Sequence, residues 1–234
     1  MKWAIVLILF SSYVNARYIA NGFEFTRKDP PLIYVSDISL DRANKLFSDF
    51  QNEKKIPFGY PREGCYARAA AMAQIAEKQD IIVGKIFVEG LLTVEPKGKF
   101  QVLLWQYHVA PIVSVKHKNG KSELLVLDPS LFDRPITIKE WKNKMKFNKY
   151  QACDQSTKKC EPIIPRVDQS YYGSRFQYWP LMEKIENYKY LTKYDPSHIE
   201  NMNSALKDHI LFEDKSLRST STKDTSSIII EEQK

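Results

Sequence analysis

Apolar positions recur along this chain first with a helical and then with a strand-like rhythm. Over 37–51, Ile38, Leu40, Ala43, Leu46, Phe47 and Phe50 fall on one stripe, the pattern of an amphipathic helix. From Cys65 to Lys78 the chain is rich in alanine (Ala67, Ala69, Ala70, Ala71, Ala73, Ala76). Small residues on every side predict a helix packed closely all round, with Cys65 on the face of Ala69, Met72, Ala73 and Ala76. Three strand-like runs follow: Lys85 to Val94, Phe100 to Val115 and Ser122 to Leu127. Asn119-Gly120 between the last two is a hairpin signal. Residues 136–147 predict a short helix. Residues 148–195 read as irregular and rich in tyrosine. Asp195-Pro196 opens a last helix with Ile199, Met202, Leu206 and Ile210 on one side. No internal repeat is present. The expected fold class is α+β: a buried Cys-bearing helix packed on an antiparallel sheet.

The ends carry different information. Lys2 followed by the apolar run Trp3 to Phe10, then Val14-Asn15-Ala16, reads as a signal peptide cut near Ala16. The run is far short of the ~20 residues that span a bilayer. The expected organisation is a signal peptide over 1–16, a short lead over 17–35 and a catalytic domain over 36–195. A C-terminal helix over 196–215 and a Ser/Thr/Lys-rich disordered tail over 216–234 complete it. The expected location is secreted or periplasmic. Losing residues 1–16 lowers the formal net charge of +7 by one, so the mature surface stays basic. The Lys-rich stretch 139–149 is interleaved with Trp141, Met145 and Phe147 at helical spacing, which suits an amphipathic segment better than a nucleic-acid groove reader.

Three cysteines are an odd number for an oxidising compartment. Cys153 and Cys160 bracket a short polar loop and form the natural disulfide, worth roughly 2–3 kcal/mol by loop entropy. Cys65 is left over, either as a buried inert thiol or as a nucleophile, and the count alone does not decide.

The position of Cys65 adds more. It lies where a turn meets a helix, and helix N-termini present partial positive charge and unpaired N–H groups. Both favour a thiolate, and the same N–H groups can hold an oxyanion. Gly64 before it permits close approach. A cysteine nucleophile needs an imidazole to move its proton. A histidine inside an apolar strand is often a satisfied core residue, yet His108 is the best candidate base. His117 flanks the polar turn, and His198 and His209 lie on the late helix. Asp128 ends the strand that pairs with the His108 strand, although Asp before Pro is frequently turn chemistry. A Cys-helix, a His-strand and an Asp-strand in that order form a papain-like arrangement. One geometric difficulty stands in the way. A two-residue loop at Asn119-Gly120 would set Asp128 opposite Pro111, and strict alternation would then turn it away from His108. A triad requires one irregularity: a bulge at Pro111, or a three-residue loop with Gly120 left-handed.

The blocks Glu63-Gly64-Cys65-Tyr66-Ala67-Arg68-Ala69, Trp105-Gln106-Tyr107-His108-Val109-Ala110 and Asp128-Pro129-Ser130-Leu131-Phe132, with Tyr60-Pro61 before them, resemble those of bacterial protein-glutaminase. Order and rough spacing agree over about residues 40–180. The resemblance implies a Cys-His-Asp triad at Cys65, His108 and Asp128, a transglutaminase-like core, and no metal or organic cofactor. It implies hydrolysis of protein-bound glutamine side chains to glutamate and ammonia through a Cys thioester. The implied partners are proteins or peptides bearing exposed glutamine, with no nucleic acid, no membrane after signal removal, and a monomeric enzyme. The chain departs from the family pattern at Pro111, where an aliphatic residue is usual, and from Pro196 onward. Rival readings are a transglutaminase-like or papain-like acyl-transfer enzyme, and a non-catalytic binding module on the same fold.

Overall fold

The computed structural model describes residues 16–20, 32–59, 64–95, 103–154, 157, 159–178, 195–218 and 230–232. The hydrophobic run of the expected signal peptide and the Tyr60-Pro61 turn lie outside them. The chain runs β1 (Ala16–Ala20), β2 (Leu32–Ile38), α1 (Leu40–Gln51), α2 (Cys65–Glu77), β3 (Gly84–Val94), β4 (Leu103–Lys116), β5 (Ser122–Val126), β6 (Ile136–Thr137), α3 (Ile138–Lys144), β7 (Tyr150–Cys153), β8 (Cys160–Pro162), β9 (Arg166–Gly173), α4 (Pro196–Arg218) and β10 (Ile230–Glu232). The fold is α+β. Its main sheet has the order β1-β2-β4-β3-β9, with β5 added to β4 and β6 to β5. Every pairing in it is antiparallel except β2 on β4, where Asp37 faces Ser114. No described helix is long and apolar enough to cross a membrane.

The helix α2 is enclosed on several sides, as its alanines require. Met72, Ala73 and Ala76 meet Leu46, Phe47 and Phe50 of α1 together with Val113, Val115, Leu125 and Leu127 of the sheet region. Cys65 and Ala69 meet Phe87, Val109 and Tyr171. Ala67 and Ala70 meet Tyr178 and, on α4, Met202 and Leu206. A second cluster joins Ile86, Val88, Ala110, Ile112 and Val126 to Leu131, Ile136, Trp141 and Met145. The helix α3, which closes that cluster, begins with a capping box between Thr137 and Glu140.

The structure revises several expectations. The stretch 148–195 is not irregular throughout, because it supplies β7, β8 and β9. The last of these pairs with β3 from Lys85↔Gly173 to Leu91↔Arg166. Its sequence RVDQSYYG lacks an apolar run because its first residues are partly solvated at the sheet edge. The lead segment supplies β1 and β2, and Val35 is fully buried. The C-terminal region stays helical to Arg218, past the expected limit at 215, and Ile230–Glu232 pairs with β7. Backbone pairing with an open strand edge needs little from the side chains, so composition alone does not reveal it. As expected, Cys153 and Cys160 are bridged, across the β7–β8 hairpin, and Cys65 is the free cysteine.

The β4–β5 hairpin resolves the register difficulty. Ile112 faces Val126 and Lys116 faces Ser122. His117 N donates to Lys121 O at 2.8 Å, so the loop is the three residues 118–120. Gly120 has φ 80°, the left-handed value that such a loop asks of its last residue. The ladder continues with Leu127 N donating to Pro111 O at 2.9 Å. Asp128 therefore falls level with Ala110, two residues from His108 and on the same side of the sheet. Pro111 sits in the ladder without a bulge. The N–H that it lacks would point at Leu127, where β5 has ended.

Candidate active site

The turn before α2 is built around a glycine. Gly64 is the N-cap, with φ 88° and ψ 3°, and a Cβ there would collide with the His209 imidazole from α4. Both facts demand glycine. No side chain caps α2, so the N–H groups of its first turn are not spent on a side-chain acceptor. Cys65 opens this turn, buried but not sealed at 9% exposure.

His108 comes from the middle of β4 and is 1% exposed. Its Nε2 lies 2.8 Å from Asp128 Oδ2, and the Cys65 side chain is near enough to act on its charge. With Nε2 engaged, Nδ1 is the nitrogen left for the thiol. Trp105 stacks on the imidazole at 4.7 Å, and the Trp141 ring lies 5.5 Å away on another side. Asp128 is equally buried but well provided with donors. Trp141 Nε1 donates to its Oδ2 at 2.7 Å, Ser130 N donates to its Oδ1 at 3.1 Å, and the Ser130 hydroxyl donates to the same oxygen.

Charge distributes accordingly. Burial by itself would lower the His108 pKa, but the Asp128 charge, the hydrogen bond to it and the Cys65 side chain outweigh burial and raise it to about 9. Burial would raise Asp128, yet the His108 charge and the hydrogen bonds from His108, Ser130 and Trp141 hold it down at about 2. The pair is thus an imidazolium facing a carboxylate at neutral pH, with a cysteine beside the imidazolium. Such a set can attack a carbonyl carbon, hold the resulting oxyanion at the helix N-terminus, and return a proton to a leaving amine.

The sequence-derived residues Cys65, His108 and Asp128 are thus together. Trp141 and Ser130 were missed as members of the site. In the sequence Trp141 is an apolar position of an amphipathic segment. A buried indole N–H needs an acceptor, and a carboxylate at the end of a neighbouring strand was the available signal. Ser130, two residues after an Asp at a turn, had the Asx-turn pattern. Among the described residues no group of three or more His, Cys, Asp or Glu side chains forms a metal-type cluster.

A family profile described as Glutaminase matches residues 43–145. A crystal structure of protein-glutaminase is 30% identical, with TM-score 0.58, and the match covers 75% of this chain and 89% of that one. The NMR structure of protein-glutaminase from Chryseobacterium proteolyticum is 28% identical over the same shares, with TM-score 0.57. A crystal structure of pro-protein-glutaminase is 29% identical, with TM-score 0.58, over 80% of this chain and 63% of that one. No curated protein matches the chain.

Proposed function

The chain belongs to the protein-glutaminase family and is a protein-glutamine deamidase, and from that premise we propose that Cys65, His108 and Asp128 carry its reaction. The supporting observation is that Asp128 holds His108 at 2.8 Å while the Cys65 side chain acts on the charge of the same imidazole. The Cys65 thiolate attacks the side-chain carboxamide carbon of a protein-bound glutamine, and the N–H groups of the first turn of α2 receive the oxyanion. His108 gives its proton to the departing nitrogen, and ammonia leaves. The acyl group remains on Cys65 as a thioester. Water, deprotonated by His108, attacks the thioester carbon, the sulfur leaves, and glutamate is formed. Asp128 keeps the imidazole in one tautomer and stabilises its charged form. Proteins are the substrates, and the enzyme meets them after secretion, with cleavage near Ala16.

Cys65→Ser tests the assignment. The variant is expected to keep the fold and to lose ammonia release from a glutamine-bearing protein. Intact mass spectrometry of that substrate after incubation with wild-type enzyme is expected to show small mass increments. Crosslinked or cleaved substrate would overturn the hydrolytic reading, and full activity in Cys65→Ser would overturn the nucleophile.

A further inference from the structure

Both neighbours of Cys65 in sequence end against α4. Gly64 meets His209, which is 6% exposed. An ideal Cβ on Gly64 would stand 2.3 Å from His209 Cε1, 2.5 Å from its Nδ1 and 3.4 Å from Arg68 Nη1. The space that a side chain would take beside the nucleophile is thus filled by an imidazole ring from another helix. Tyr66 meets Tyr178 edge-on, with ring centroids 5.1 Å apart. Tyr178 in turn stacks on His198 at 4.8 Å and donates from its hydroxyl to Asn201 Oδ1 at 3.0 Å, both on α4. Met202 and Leu206 of α4 share a cluster with Ala67 and Ala70 of α2. Met202, Leu206 and His209 recur at helical spacing, so one face of α4 carries the whole contact.

The turn before α2 needs such a brace. An ordinary N-cap has extended backbone and a side chain that bonds the first helical turn. Gly64 has φ 88° and ψ 3° and no side-chain cap, so local structure supplies neither restraint. The glycine that permits the left-handed turn also makes it the loosest link in the backbone beside the reactive sulfur. Turning the Gly64 dihedrals turns the Gly64–Cys65 peptide plane, and with it the Cys65 N–H that would face an oxyanion. A ring seated on the open side of the glycine closes the neighbouring conformations by simple bulk.

We propose that His209 is a positioning residue for the nucleophile: its ring backs Gly64 and holds Cys65 and its N–H in the geometry that attacks the amide. The proposal rests on the reading of Cys65 as the nucleophile. In this role His209 acts through Gly64 and not on the substrate. Misplacing a reacting group by about 1 Å can cost about a hundredfold in rate, so a void behind Gly64 shows in the chemical step and not in substrate binding.

The test compares three variants. His209→Ala empties the space, His209→Phe refills it with a ring, and Met202→Ala loosens α4 at a distance from Gly64. Urea titration gives the folded fraction, and every rate is taken per folded molecule. In His209→Ala, kcat for ammonia release from a glutamine-bearing protein is expected to fall about tenfold to a hundredfold, with KM within about twofold of the wild type. Alkylation of Cys65 by iodoacetamide is expected to slow about tenfold in the same variant, because the thiolate loses its place beside His108. His209→Phe is expected to recover both rates to within about threefold, since a ring again fills the space. Met202→Ala is expected to lose stability and keep both rates. Wild-type rates in folded His209→Ala overturn the proposal. So does an equal loss in Met202→Ala, which would mark a general loosening of α4, and so does His209→Phe as slow as His209→Ala. Should His209→Ala not fold, His209→Val makes the same comparison with a smaller void. Alkylation needs no turnover. Wild-type enzyme that releases no ammonia from glutamine-bearing proteins would overturn the deamidase reading and leave the alkylation rates to judge His209 separately.

Discussion

At the scale of single residues, the site depends on how a buried charge is shared. Asp128 holds His108 protonated against a burial that opposes it, so Asp128→Asn leaves burial to dominate and His108 titrates lower. On the proposed mechanism His108 carries the proton given to ammonia, so wild-type activity is expected to decline as pH rises through about 9. In Asp128→Asn the declining limb is expected to move at least one pH unit lower, with a neutral-pH rate about a hundredfold smaller. A kcat/KM profile of both proteins from pH 5 to 10 checks this, and a limb that stays in place would remove Asp128 from its role. Cys65, His108 and Asp128 were legible because each carries chemistry and each sits in a recognisable block. Trp141 and Ser130 were not. Their importance lies in which donor meets which acceptor across the fold, and residue type alone does not encode that.

At the scale of elements, one loop decides whether the site exists. The three-residue connection 118–120 sets Asp128 level with Ala110, and a connection one residue shorter would turn Asp128 away. Deleting Asn119 is expected to abolish activity and to cost most of the stability, because Leu125 and Leu127 would leave the core along with Asp128. Gly120→Ala is a contrasting case. It meets open space but must hold φ 80°, so it is expected to cost about 1 kcal/mol and leave activity intact. Urea denaturation and ammonia release measured on both variants test the pair, and an active Asn119 deletion would show that the register can slip. The sequence and its chemistry asked for one irregularity, a bulge at Pro111 or a three-residue loop around Gly120, and the backbone takes the loop, with Gly120 at φ 80°. Strand β9 escaped the sequence reading for another reason: an edge strand presents a solvated face and shows no continuous apolar run.

At the scale of the whole molecule, two buried cations act on stability in opposite senses. Lys85 is 1% exposed, donates from Nζ to the Gln177 carbonyl oxygen at 2.6 Å, and is lowered by burial to about 7. Between pH 7 and 10.5 the unfolded chain holds the proton that folded Lys85 has lost, so stability from this group rises with pH. His108 behaves in reverse. Its folded pKa is raised, so its contribution is complete below 6.5 and is lost as pH climbs through about 9. From pH 7 to 9 the two tend to offset each other in the wild type. Lys85→Met is expected to expose the His108 slope, with the urea midpoint falling between pH 7 and 9 more steeply than in the wild type. Parallel curves for the two proteins would refute this. The sequence foretold a helix enclosed on all sides, yet uniform alanine does not say which neighbour takes which side, and the seat of α4 on α2 was not legible. That seat has a consequence in time. The imidazole that fills the space behind Gly64 belongs to His209, more than half the chain later. Synthesis proceeds from the N-terminus, so a growing chain carries all three reactive residues long before the neighbour of the nucleophile turn emerges. A ribosome-bound chain that has not yet released α4, or one cut within α4, has the chemistry without its full support, and packing at the turn before α2 waits for His209.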